Sequence, residues 1–123
     1  MGDLVEVPVS ELSGAALDWA VASVEGVSVA LCPPAYGNGW RVRYELIHCQ
    51  AKYSPSAEWH QAGPVIEHNH VAFRSGSGGW AAGVEVSEAQ IEWHHGSDPL
   101  VAICRAVVAH KQGPFIRIPQ ELM

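Results

Sequence analysis

The sequence predicts an α+β domain: two helices packed on a small, mainly antiparallel sheet. Three observations lead there. Two segments, at residues 13–25 and 98–111, carry apolar residues at helical spacing between recognisable caps. Segments near both ends and around residues 27–47 alternate instead, as strands with one buried face do. The remainder is rich in Gly, Pro and Ser, and no repeat or linker divides the chain, so its 123 residues read as one domain.

Along the chain, Leu4 to Val9 places Val5, Val7 and Val9 on one face of a strand, with Pro8 at its edge or end. Ser13 is the expected N-cap of the first helix, Gly14 to Glu25. Leu17, Ala20, Val21 and Val24 form its buried stripe, and Gly26 stops it. Trp19 lies beside that stripe. Val27 to Leu31 is β-prone and ends at Cys32-Pro33-Pro34. Arg41 to Ile47 alternates, with Val42, Tyr44 and Leu46 on one face, and pairs with it across a Pro/Gly loop.

From Gln50 to His70 turn chemistry replaces periodicity, at Ser54-Pro55-Ser56 and Gly63-Pro64. Val65 and Ile66 suggest a very short strand. Ser75 to Gly79 reads as a flexible surface loop. The second helix takes Asp98 as N-cap and Pro99 as its first residue, and runs to Lys111 before Gly113-Pro114. Leu100, Ile103, Cys104, Val107 and Val108 are its apolar face. Phe115 to Ile118 is a last strand, ended by Pro119.

Hydrophobic residues make up 48% of the chain and charged residues 16%, the balance of a chain that buries a core rather than one that stays disordered. A domain of this size buries roughly 65–70% of its unfolded surface. The net charge is −6, and the seven Lys and Arg are scattered apart from Arg41 and Arg43. Nucleic-acid binding and anionic membrane surfaces are disfavoured, because both need clustered cations. No apolar stretch reaches the ~20 residues of a membrane span. Met1 to Glu11 lacks the basic and apolar parts of a signal peptide. Cys32, Cys49 and Cys104 cannot all pair within one chain, so reduced thiols in a cytosolic protein are expected.

Four blocks together resemble the NinX-like family of small bacteriophage proteins. The first is Leu12 to Val21. The second is Tyr53-Ser54-Pro55-Ser56 with Trp59, Gln61, Gly63-Pro64 and Ile66-Glu67. The third is Trp80 with Ala82. The fourth runs from Gly96 through Pro99-Leu100, Arg105 and Val108 to Gly113, closing with Ile118-Pro119 and Glu121-Leu122. The chain departs from the family pattern in a longer stretch between Cys32 and Gln50 and in Cys104, where a methionine is expected. The resemblance implies a phage or prophage origin, residence in the bacterial host cytoplasm and an accessory role. It supplies no reaction, and most histidines lie outside the blocks.

The residues themselves offer two functional readings. The first is a non-enzymatic domain that binds a host or phage protein. Its surface is the segment Tyr53 to Glu67, with Tyr53, Ser54, Ser56, Trp59, Gln61 and Glu67, together with Trp80. Ordered loops on a scaffold often carry binding residues, and a tryptophan buries a large area at low entropic cost. The alternative reading of the tryptophans is as caps on the core. The second functional reading is a zinc-binding protein or metal-dependent enzyme. His68 and His70 would project from one face of a strand, joined by His94 or His95. No H-E-x-x-H or C-x-x-C spacing enforces that convergence, so no cofactor is expected on the first reading. Ser54, Ser56 or Cys49 with His48 or His60 lacks any nucleophile signature. The acids Glu58, Glu67, Glu85, Glu88 and Glu92 form chance pairs too easily to single out. A homo-oligomer is compatible with all of this.

Overall fold

The structure is a computed structural model that describes residues 3–45, 51–76, 78–85 and 91–123. The expectations placed on Leu46, Ile47, His48, Cys49, Gln50, Ser77 and Glu88 lie outside the described residues.

The class is α+β. In chain order come β1 (Leu4–Pro8), a 3₁₀ turn (Val9–Glu11), α1 (Gly14–Glu25), β2 (Val29–Cys32), β3 (Arg41–Tyr44) and α2 (Trp59–Asn69). There follow β4 (Val71–Gly76), β5 (Gly79–Val84), β6 (His94–Gly96), α3 (Pro99–Gln112), β7 (Phe115–Pro119) and a closing 3₁₀ turn (Gln120–Leu122). Two expectations are corrected. The described residues form three α-helices rather than two, and three small sheets rather than one: β1-β7, β2-β3 and β4-β5-β6, every pairing antiparallel.

The two expected helices form where their caps place them. Ser13 is extended and precedes α1, although its side chain makes no capping bond, and Gly26 ends the helix at φ 71. That left-handed conformation is open to glycine at little steric cost. In α3 the Asp98 carboxylate accepts from the Val101 N–H at 3.0 Å, and Pro99 needs no N–H partner at that position. Leu17, Ala20 and Val21 of α1 and Cys104, Val107 and Val108 of α3 are fully buried in the core these two helices share, and Ile103 is buried on the side of α3 that faces the three-stranded sheet.

The expected β2–β3 hairpin is present with Val29 opposite Tyr44 and Cys32 opposite Arg41. It starts two residues later than the pattern suggests, because the Val27 N–H still bonds the Ala22 carbonyl at the end of α1. Beyond β3 the chain returns alongside it: Tyr44 N–H donates to Ala51, and Tyr53 N–H to Val42 at 2.8 Å. That return delivers Tyr53 into the core.

The largest departure is α2. Gly63-Pro64 reads as a turn, yet both residues lie inside an eleven-residue helix. An interior proline costs a helical hydrogen bond. Burial outweighs it: Ala62, Val65 and Asn69 recur at helical spacing on the buried face, with Ile66 packed beside them. Val65 and Ile66 are therefore helical, not a strand. His70 caps the helix in the left-handed region at φ 52.

Described residues of the Gly-rich segment are strand rather than loop: Ser75 and Gly76 belong to β4 and Gly79 to β5. Gly76 and Gly79 pair as the last rung of the β4–β5 hairpin. Its sheet packs on α3, and Gly96 of β6 lets the two approach: a Cβ there would stand 2.6 Å from the Ala102 nitrogen. Ala82 meets Leu100, Ile103 and Ala106 in this half of the core.

Candidate functional site

The residues singled out between Tyr53 and Glu67 separate into two environments. Tyr53, Ser54 and Ser56 are buried, with Pro55 between them. The Ser56 N–H donates to Asp18 Oδ1 of α1 at 2.9 Å. The Ser54 N–H donates to Oε1 of Gln61, whose Nε2 in turn donates to the Lys52 carbonyl at 2.9 Å. The Ser54 carbonyl accepts from Ala57 and Glu58, leading into α2. Tyr53 stands edge-on to Tyr44, with ring centres 5.2 Å apart. This turn ties α1, β3 and α2 together.

Asp18 is the residue that sequence reasoning passed over. It lies beside Leu17 in the helical pattern, and that adjacency to the buried stripe was the available signal. Burial pushes its carboxyl above the usual range, opposed by hydrogen bonds from Ser56 and the charge of Lys52. Burial likewise keeps the Tyr53 phenol and the Cys104 thiol in their protonated forms.

The second environment is open. Trp59, at the start of α2, is 52% exposed, and Phe73 on β4 is 38% exposed. Their ring centres are 6.0 Å apart, and Phe73 is 6.4 Å from Trp80 on β5. The three rings form a row across the junction of α2 and the three-stranded sheet. Phe73 faces the same side as Trp80 because it sits opposite Ala82, two residues along β5. A groove of about 380 Å³ runs between Ser56, Ala57 and Trp59 and the Asp98-Pro99-Leu100 corner. At the far end Trp80 lines a second groove, of about 340 Å³, with Arg74, Gly79, His95 and Gly96. Glu67 is exposed further along α2. Phe73 was also missed, since the small residues around it leave no alternating pattern to mark a strand face.

The histidines take unrelated positions. His68 and His70 do not share a strand: His68 is in the last turn of α2, and His70 caps it. His68 Nδ1 is 3.7 Å from Glu25, whose buried carboxylate is held by Lys111 at 2.6 Å and by Asn69 at 3.1 Å. His94 and His95 are neighbours on β6 and so point to opposite faces. His94 is partly buried, which lowers its pKa, with Glu92 3.9 Å away acting in the other direction. Among the described residues, no group of three or more His, Cys, Asp and Glu side chains could hold a metal ion.

The fold and the site define a small α+β domain that displays an aromatic row beside a buried polar anchor. The family model described as Bacteriophage P22, NinX matches residues 8–111. The chain belongs to that family of phage proteins. The match takes in the first three blocks and the fourth as far as Val108, while Gly113, Ile118-Pro119 and Glu121-Leu122 lie beyond it. No curated protein is significantly similar to the chain. Among the described residues no helix is long and apolar enough to cross a membrane.

Proposed function

We infer that this phage-encoded accessory protein is a non-enzymatic interaction domain acting in the host cytoplasm. It binds a host or phage protein through the row Trp59, Phe73 and Trp80. The observation that carries this reading is the continuous contact of three large rings, two of them exposed, across two elements of a packed scaffold. Exposed apolar clusters of this kind favour partner binding, and tryptophan is among the residues that most often dominate interface energy. The Asp98 corner, across a groove from Trp59, supplies the polar rim that such sites need. Tyr53, Ser54 and Ser56 act behind the surface by fixing the start of α2, and hence Trp59.

The test is recovery of cross-linked partners from phage-infected cells with wild type, Trp59→Ala and Arg117→Ala, all shown to be folded. Arg117 lies on β7, outside the row. A specific partner that is retained with Arg117→Ala and lost with Trp59→Ala supports the reading. Equal recovery with Trp59→Ala overturns it.

A further inference from the structure

Among the described residues, the outer edge of β4 has no neighbouring strand. In an antiparallel pair, alternate residues turn their N–H and C=O groups toward the neighbour. Gly76 and Gly79 flank a two-residue connection, the position where a hairpin's hydrogen-bonded rung closes. At the other end the Glu85 N–H donates to the His70 carbonyl at 3.4 Å. The rungs 76–79, 74–81, 72–83 and 70–85 are therefore the hydrogen-bonded ones. It follows that Val71, Phe73 and Ser75 turn their backbone groups outward. Among the described residues nothing accepts or donates to them there: β4 is the end strand of its sheet, and residues 73–76 are exposed.

Sheet edges are commonly protected by Lys, Pro or a charge directed into the edge. Val71–Gly76 contains neither Lys nor Pro, and its one charge, Arg74, is stacked over Trp93 at 4.2 Å. The opposite edge of the sheet is treated differently. β6 is only three residues long, and its His95 carbonyl accepts from Arg105 Nη1 at 2.9 Å.

We propose that two chains dimerise by antiparallel pairing of β4 with β4 about a two-fold axis at Phe73. This goes beyond partner binding, because it uses the edge of the sheet rather than its aromatic face. The register is dictated by self-complementarity. With Phe73 opposite Phe73 of the second copy, Val71 falls opposite Ser75, and all outward backbone groups of these residues find partners. Arg74 falls opposite Ala72, so no like charges face each other. An axis perpendicular to the sheet keeps both helical layers on one side of a six-stranded sheet. The two Phe73 rings then meet at the centre and join both aromatic rows into one platform. Such an interface is isologous and closed, as two-fold dimers require.

The experiment is sedimentation velocity on the full chain over a wide concentration range, with two variants. Ser75→Pro removes an outward N–H and leaves the rungs to β5 intact. Phe73→Cys places two sulfurs across the axis, where opposed Cα atoms lie about 5.5 Å apart, within the reach of a disulfide. The expected result is a wild-type dimer, loss of the dimer in Ser75→Pro with its thermal melt still cooperative, and an intermolecular disulfide in Phe73→Cys. Ser75→Cys, which faces Val71 in this register, should not cross-link to itself. A wild-type monomer at every concentration overturns the proposal. So does a dimer that survives Ser75→Pro and leaves the Phe73→Cys thiol reduced under oxidising conditions. Dimerisation is read without any phage or host partner, so this result and the partner-recovery result stand apart.

Discussion

The Tyr53–Ser56 turn ends only three residues before the Trp59–Phe73–Trp80 row begins, yet physically they are opposites. In the turn, aromatic and polar side chains are buried, and each polar contact is made to another part of the same chain. In the row, Trp59 and Phe73 are open to solvent, while Trp80 is partly buried and joins the row to the core on α3. A segment rich in Tyr, Trp, Ser and Gln is thus half scaffold and half surface. Composition cannot divide it, since both halves use the same residue types.

The sharpest way to break this comparison is to truncate one aromatic from each side. Tyr53→Ala empties a buried site beside Tyr44, and large aromatic truncations of that kind cost about 3–5 kcal/mol. Chemical denaturation should register a loss in that range, while a loss below about 1 kcal/mol would move Tyr53 from scaffold to surface.

Asp18 tests the polar half of the anchor. Asp18→Ala leaves the buried Ser56 N–H without an acceptor and should cost about 1–3 kcal/mol. Asp18→Asn keeps an acceptor and should cost less. The sign of the pH effect follows from the raised carboxyl. The folded chain holds this proton above 3.8, where the unfolded chain has released it. The contribution of Asp18 to stability therefore falls as pH rises through that window. Asp18→Asn removes the slope, so its stability relative to wild type should improve with rising pH. Parallel curves for the two proteins would show that the carboxyl is not perturbed by burial.

These effects also show why the fold was only partly legible. Helices α1 and α3 announce themselves through local devices: Ser13, Gly26, Asp98, Pro99 and an apolar stripe. The outer strands β1 and β7 alternate plainly. Helix α2 was hidden because Gly63-Pro64 carries a strong local turn signal, and only tertiary burial of Ala62 and Val65 overrides it. The β4–β5 hairpin was hidden because small residues such as Ala72, Ala81, Ala82 and Gly83 leave no alternating pattern, although their size lets other elements pack closely. At the site, Trp59 and Trp80 were legible as large rings in turn-rich surroundings. Phe73 and Asp18 were not, since each gains its meaning from a partner distant in sequence.

His94 offers a smaller effect, of opposite sign to Asp18. Partial burial sets its folded pKa below the usual 6.5. The unfolded chain takes up a proton first as pH falls, so the stability tied to His94 is complete above 6.5 and declines below it. His94→Asn should flatten that decline in thermal melts taken between mildly acidic and neutral pH. An unchanged acid slope would assign the decline to other groups.

The smallest expected effect is the most discriminating. Trp59→Ala removes a ring that is half exposed and contacts Phe73 at 6.0 Å. An exposed aromatic pair contributes on the order of 0.5–1.5 kcal/mol. Since α2 is anchored on its other side by Ala62, Val65 and Asn69, the loss should fall at the low end of that range, far below that of Tyr53→Ala. A near-neutral change in stability means that the ring is not there to hold the fold, and leaves its exposure to be explained by what it contacts outside the chain. A loss as large as that of Tyr53→Ala would make Trp59 part of the scaffold. The row would then lose its outermost member, and Phe73 with the edge of β4 would remain as the surface to test.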